Sequence, residues 1–166
     1  MITDLPSSFK HTVISDGILS ACSQSPSKVA YKHGQNTRTY HELKERIDSI
    51  SGIIHSFQIP MKCNIAIVAS NSIEYMEIVL AASQLGHPIA TVNPKLTAND
   101  IVSICEDAKA KLVFVDQKVA SLLVGRNIRG VQEIIGIDNE METLIAQTEC
   151  PSQLPTIKEK ETFTIP

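Results

Sequence analysis

The residues able to carry chemistry are spread thinly along this chain. Five histidines, His11, His33, His41, His55 and His87, are the groups that could move protons near neutral pH. They stand far apart and none has an acid or a cysteine at motif spacing, so they read as surface or helix positions, not as bases or metal ligands. Glu106 and Asp107 are adjacent. In a helix neighbours point in different directions, which makes a solvated face the expectation and not an acid–base pair. Lys109 and Lys111 flank an expected turn, where a cation could meet a phosphate but where solubilising charge is the ordinary duty. Ser70, Asn71 and Asn93 fall at the C-terminal ends of expected strands, the edge at which open α/β sheets collect ligands. Turn and cap duty already accounts for their types. Gly125 and Gly130 bracket a loop with no Lys-Ser/Thr behind it, so it is not a Walker phosphate loop, and neither G-x-G-x-x-G nor G-x-S-x-G occurs. No catalytic, cofactor-binding or metal-binding residue is assigned.

Composition narrows the classes further. The chain has 166 residues, a net charge of −3, 43% hydrophobic and 20% charged residues, enough for one globular core and inconsistent with wholesale disorder. Lys and Arg are scattered along the sequence and there is no Trp, so neither the charge footprint nor the stacking platform of a nucleic-acid binder is present. Cys22, Cys63, Cys105 and Cys150 lie about forty residues apart, which fits reduced thiols better than a zinc site or a disulfide framework. The N-terminus carries no basic-then-apolar signal, and no apolar run reaches membrane-spanning length. These features lead to the expectation of a cytoplasmic protein with no membrane span.

The elements that must position these residues follow from periodicity. A short amphipathic helix is expected over residues 13–23, and a small β-hairpin over residues 28–39 with its turn at His33-Gly34-Gln35-Asn36. Thr39 and Glu42 have capping-box spacing ahead of a stripe made by Leu43, Ile47, Ile50, Ile54 and Phe57. Residues 64–69 are a near-continuous apolar run, as in a strand covered on both faces. Asn71 with Glu74 predicts a helix to Gln84 with Ile73, Met76, Val79 and Leu80 turned inward, ended by Gly86. A strand at 88–92, a helix capped by Thr97 and carrying Ile101, Ile104 and Cys105, and a strand at 111–115 come next. A helix at 117–123, a strand at 131–137 and a helix at 140–146 complete the series. Strand onsets recur about every 22 residues with a helix between them, so the fold class is α/β: a mainly parallel sheet with helices on both faces, plus the N-terminal hairpin. Residues 147–161 read as a linker, and 162–165 as the start of one more strand.

Four segments add a resemblance to these patterns: Arg38-Thr39-Tyr40-His41-Glu42-Leu43, Val68-Ala69-Ser70-Asn71-Ser72, Leu85 through the Asn93-Pro94 pair to Thr97, and Leu112-Val113-Phe114-Val115-Asp116. In order and spacing they are similar to the N-terminal part of the adenylate-forming superfamily, which includes acyl- and aryl-CoA synthetases, luciferases and peptide-synthetase adenylation domains. Asn93-Pro94 resembles the acyl/aryl-CoA ligase branch more than the peptide synthetases. His87 stands where the family usually has a small residue, and reads as local variation.

The resemblance implies a parent enzyme that uses ATP, Mg²⁺ and CoA to adenylate a carboxylate and pass it to a thiol. It also implies that the phosphate loop, metal ligand, ribose-binding Asp and lysine of that chemistry follow a strand of the Phe163-Thr164-Ile165-Pro166 type. Residues 1–146 are therefore expected to be an N-terminal subdomain and 147–166 a linker with the start of the next strand, together inactive and without a cofactor of their own. In such an enzyme Lys109 and Lys111 could touch a CoA phosphate. The expected partner is the remainder of the parent polypeptide, with a homodimer as an alternative association. A stand-alone scaffold or binding domain is the competing function, and a flavodoxin-like nucleotide binder fits the alternation but lacks a phosphate loop after its first core strand.

Overall fold

Apolar runs buried on both faces, separated by capped amphipathic helices, build the molecule. The computed structural model describes residues 14–148, 154, 155, 157 and 163–165. Helix α1 (Ile14–Gln24) leads to the antiparallel hairpin β1 (Val29–His33) and β2 (Asn36–Thr39), with Gly34 at φ +60° in its turn. Helix α2 (Tyr40–Ser56) starts with the expected capping box: Thr39 Oγ1 accepts from Glu42 N, and the Glu42 carboxylate accepts from Thr39 N at 2.7 Å. Then come β3 (Ile65–Val68), α3 (Ile73–Gln84), β4 (Ile89–Thr91), α4 (Ala98–Asp107), β5 (Leu112–Val115), α5 (Gln117–Leu123), β6 (Glu133–Gly136), α6 (Asn139–Gln147) and β7 (Thr164–Ile165).

The second sheet is parallel throughout, in the order β6-β5-β3-β4-β7. Alternation along its strands splits the core in two. Ile65, Ile67, Ile89, Leu112, Phe114 and Ile135 face α2, α3 and α6. Ala66, Val68, Ala90, Val113 and Val115 face α4 and α5. Each fully buried Ile or Leu of this kind is worth about 1.5–3 kcal/mol, which is why β3 and β5, buried at every position, are so legible as unbroken apolar runs.

The α/β class, the hairpin and the parallel neighbours of β3 are as expected from sequence. Three details of packing differ. The α3 cap is Ser72, not Asn71: Ser72 Oγ accepts from Tyr75 N at 3.1 Å, and Asn71 is exposed. Both residue types cap helices well, and the one adjoining the first helical turn takes the role. Met76 is 37% exposed and Ile104 39%, so neither points inward as the periodicity suggested. The inward place on α3 goes to Glu77, whose carboxylate is fully buried between Arg38 Nε at 3.2 Å and Arg46 Nε at 2.9 Å. Arg46 then grips Glu142 of α6 with both terminal nitrogens, at 2.6 and 2.7 Å. One chain of charges thus ties hairpin, α2, α3 and α6 together, and each oxygen of the buried Glu77 carboxylate accepts from an arginine. The expected linker at 147–161 lies mostly outside the described residues. The expected last strand is present as β7, in register with β4 through Ile89 to Thr164 and Ala90 to Ile165.

Candidate functional site

Connections leaving β3 and β5 run to opposite faces of the sheet, because α3 packs on one side and α5 on the other. In an open parallel sheet such a reversal leaves a crevice beyond the carboxyl ends of the two strands, and this is where ligands collect. Ser70, Asn71, Ser72 and Asp116 occupy this crevice, and Asn93 follows the neighbouring strand β4.

The geometry there is that of a closed seam. Asp116 Oδ1 accepts from Val119 N at 3.0 Å, capping α5. Its Oδ2 accepts from Ser70 N at 3.1 Å and Ser70 Oγ at 3.4 Å, joining the ends of the two adjacent strands. Asn93 Oδ1 accepts from Lys95 N at 2.9 Å in a local turn. A phosphate needs free N–H donors and no competing anion. Here the Ser70, Tyr75, Lys95 and Val119 amides are already taken by side-chain oxygens, and a carboxylate sits in the crevice. These residues do not fit the phosphates of ATP. Among the described residues no group of three or more His, Cys, Asp or Glu is placed to hold a metal ion.

The remaining sequence candidates disperse. His33, His41 and His55 are exposed, as anticipated, although the α2 turn brings His41 Nε2 to 3.4 Å from Glu45 on the surface. His11 lies outside the described residues. His87 is a correction: it is buried in the connection between α3 and β4, not on a surface or a helix. Its Nδ1 stands 3.0 Å from the Cys63 carbonyl, and burial pushes its pKa below the ordinary imidazole value despite that hydrogen bond. The side chain pins the loop ahead of β3, so it is more than local variation. Asp107 is exposed, but Glu106 is engaged: its Oε1 accepts from Arg129 N at 2.9 Å. Cys22 and Cys105 are buried and free, and burial raises both thiols, Cys105 to about 11, leaving them unreactive near neutral pH.

Lys109 and Lys111 sit at the opposite, N-terminal rim of the sheet, away from the Ser70–Asp116 crevice. They line an open cleft of 560 Å³ with Lys62, Cys63, Asn64, Glu106, Arg129 and Gly130. Sequence reading singled out Lys109 and Lys111 but not Lys62 and Arg129, because these cations come from three loops more than forty residues apart at the extremes.

The architecture is that of a known group. Residues 19–164 match the family described as AMP-binding enzyme. The chain belongs to this AMP-binding enzyme family. A probable CoA ligase of Humulus lupulus is 28% identical over 110 residues, which is 66% of this chain and 19% of that protein. The crystal structure of the N-terminal domain of FACL13 from Mycobacterium tuberculosis superposes with a TM-score of 0.85 at 17% identity, covering 93% of this chain and 41% of that one. The N-terminal subdomain of NpsA from Klebsiella oxytoca, solved with 3-hydroxyanthranilyl-AMSN, gives 0.77 at 16% identity over 95% of this chain and 38% of that one. The AMP-binding chain thus spans 19% of its curated relative and corresponds to part of the N-terminal subdomain of adenylate-forming enzymes. None of its helices, among the described residues, is long and apolar enough to cross a membrane.

Proposed function

We propose that this chain is the leading α/β subdomain of an ATP-dependent acyl- or aryl-CoA ligase and is inactive by itself. The observation that carries the reading is the family match over residues 19–164 in a chain that spans only 19% of the matched CoA ligase. The sealed crevice supports it, since Asp116 already occupies the amides that phosphate would need. In the parent enzyme ATP, Mg²⁺ and CoA are supplied with their sites by the rest of the polypeptide, which is also this subdomain's principal partner. The subdomain's own work is scaffolding: the charge chain from Arg38 to Glu142 and the five-stranded sheet hold the seam rigid. The parent is a cytoplasmic ligase, with fatty acids among its candidate substrates.

Calorimetric titration of the chain with Mg-ATP tests this directly. No saturable heat and no acyl-adenylate in a pyrophosphate-exchange assay are expected. A low-micromolar dissociation constant would overturn the reading in favour of a self-sufficient nucleotide-binding domain.

A further inference from the structure

The cleft at the N-terminal rim is independent of that reading and faces away from the crevice. Its walls are the loops that feed three adjacent strands: Lys62, Cys63 and Asn64 before β3, Lys109 and Lys111 before β5, and Arg129 and Gly130 before β6. We propose that this cleft is a binding site for a small phosphate-bearing anion, of the di- or triphosphate class.

Charge is the first argument. Leaving Lys62 aside, Lys109, Lys111 and Arg129 face one carboxylate, Glu106, in the cleft lining. Glu106 is committed to Arg129, accepting from its backbone N at 2.9 Å and lying 3.7 Å from its guanidinium. Lys111 Nζ donates to the Gly130 carbonyl at 3.3 Å, a contact that orients the ammonium without neutralising it. Lys109 has no carboxylate partner among the described residues. Two lysines therefore bring uncompensated charge into one concavity, where their fields add. The C-terminus of α4 contributes only about half a negative charge here, which one cation offsets.

Backbone geometry is the second. Lys62 and Lys109 hold left-handed φ angles of +63° and +52°, and they are two of only three non-glycine residues to do so among those described. Such a conformation costs roughly 1–3 kcal/mol outside glycine and gathers at ligand clamps. Glycine would relieve it at both places, the second being the usual glycine position after a helix end. Lysine stands there instead, both times facing the same cleft. Size is the third argument: 560 Å³ falls within the range of small-molecule sites and exceeds what a single phosphate fills. Ammonium groups act as point charges toward phosphate, which suits an anion carrying several negative charges on a compact group.

The test is calorimetric titration of the 166-residue chain with sodium tripolyphosphate and, separately, ADP, at low and at raised salt. Saturable one-to-one binding that weakens with salt is expected from at least one probe. The tighter of the two assigns the source as inorganic polyphosphate or nucleotide. Lys109→Glu with Lys111→Glu should weaken it at least tenfold, whereas Lys32→Glu with Lys118→Glu, an equal charge change on exposed positions outside the cleft, should weaken it less than twofold. Circular dichroism confirms that each variant is folded. Cys63 gives a second readout, since bound anion should slow its alkylation, located by mass spectrometry, while a chain without a site shows no protection. No saturable binding of either probe, or equal loss in both double variants, would overturn the proposal.

Discussion

Asp116 and Ser70 meet across the ends of two parallel strands: one carboxylate oxygen accepts from the Ser70 amide at 3.1 Å while the other caps α5 through Val119 N at 3.0 Å. A single side chain therefore supplies a helix cap and a strand-end clasp at the topological reversal of the sheet. An anion belonging to the protein therefore stands in the crevice that the fold leaves there. Charge-assisted hydrogen bonds are stronger than neutral ones, so the clasp also fixes the spacing of β3 and β5 at their carboxyl ends.

Replacing Asp116 should reveal both duties. Asp116→Ala removes a cap and leaves the Ser70 and Val119 amides without partners, and a loss of about 1–3 kcal/mol is expected. Asp116→Asn keeps a good capping group and should cost less than half as much. Urea unfolding followed by circular dichroism measures both. Equal losses in the two variants would show that charge, not the acceptor geometry, holds the seam.

Much of this arrangement was legible in the sequence, and the parts that were not share a physical cause. The buried runs of β3 and β5 and the Thr39–Glu42 capping box depend on neighbours within a few residues, so spacing alone revealed them. Glu77 did not announce itself: a helical-period reading places apolar Met76 inward, and the two arginines that permit a buried carboxylate lie 39 and 31 residues away in sequence. The Asp116 clasp reaches across 46 residues, and the cationic cleft draws on three separate loops. Local pattern reports elements; it does not report which polar side chains the sheet order brings together.

Glu77 should be the most sensitive polar position in the molecule. Its carboxylate is 0% exposed, with Arg38 and Arg46 each donating to a different oxygen. Removing one member of a buried ion pair leaves the other charge uncompensated, so Glu77→Ala should cost about 3–5 kcal/mol. Arg38→Ala should cost less than Arg46→Ala, because Arg46 also binds Glu142 through two hydrogen bonds and its loss frees two carboxylates. Thermal or urea unfolding of the three variants gives the order; a Glu77→Ala protein as stable as the parent would show that the arginines reach solvent readily.

The buried imidazole of His87 should make stability depend on pH. Burial lowers its pKa below the ordinary 6.5, so on acidification the unfolded chain takes up the proton first. Stability contributed by the neutral ring is thus complete above 6.5 and declines as pH falls from there toward the lower folded value. Glu142 acts in a different window: the hydrogen bonds from Arg46 hold its pKa below 4.5, so its contribution is lost only as pH falls below that. With 52% of its side chain exposed, that contribution is small. Urea midpoints should fall between pH 7.5 and 5.5 in the parent and change less in His87→Gln, which keeps a donor for the Cys63 carbonyl without a titrating ring. Parallel slopes in the two proteins would assign the dependence elsewhere.

Self-association is the last expectation, and it rests on the sheet edge. β7 is the terminal strand in the order β6-β5-β3-β4-β7, and among the described residues it has one hydrogen-bonded neighbour, β4. Phe163 O accepts from Ile89 N, so alternation along a parallel ladder turns the Thr164 N–H and C=O away from β4, toward the open edge. An open row of that kind is a template for another strand. Two copies meeting edge to edge across a two-fold axis would pair β7 antiparallel and close the contact, the commonest symmetry for a small oligomer. We therefore expect the isolated chain to form a homodimer whose fraction rises with concentration in sedimentation equilibrium. Thr164→Pro removes the outward donor and should shift the dimer constant by about tenfold, on the order of the 1–2 kcal/mol carried by one or two edge hydrogen bonds. A monomeric mass at every concentration would mean that the edge is covered within one molecule, and an unchanged dimer in Thr164→Pro would place the contact on another surface.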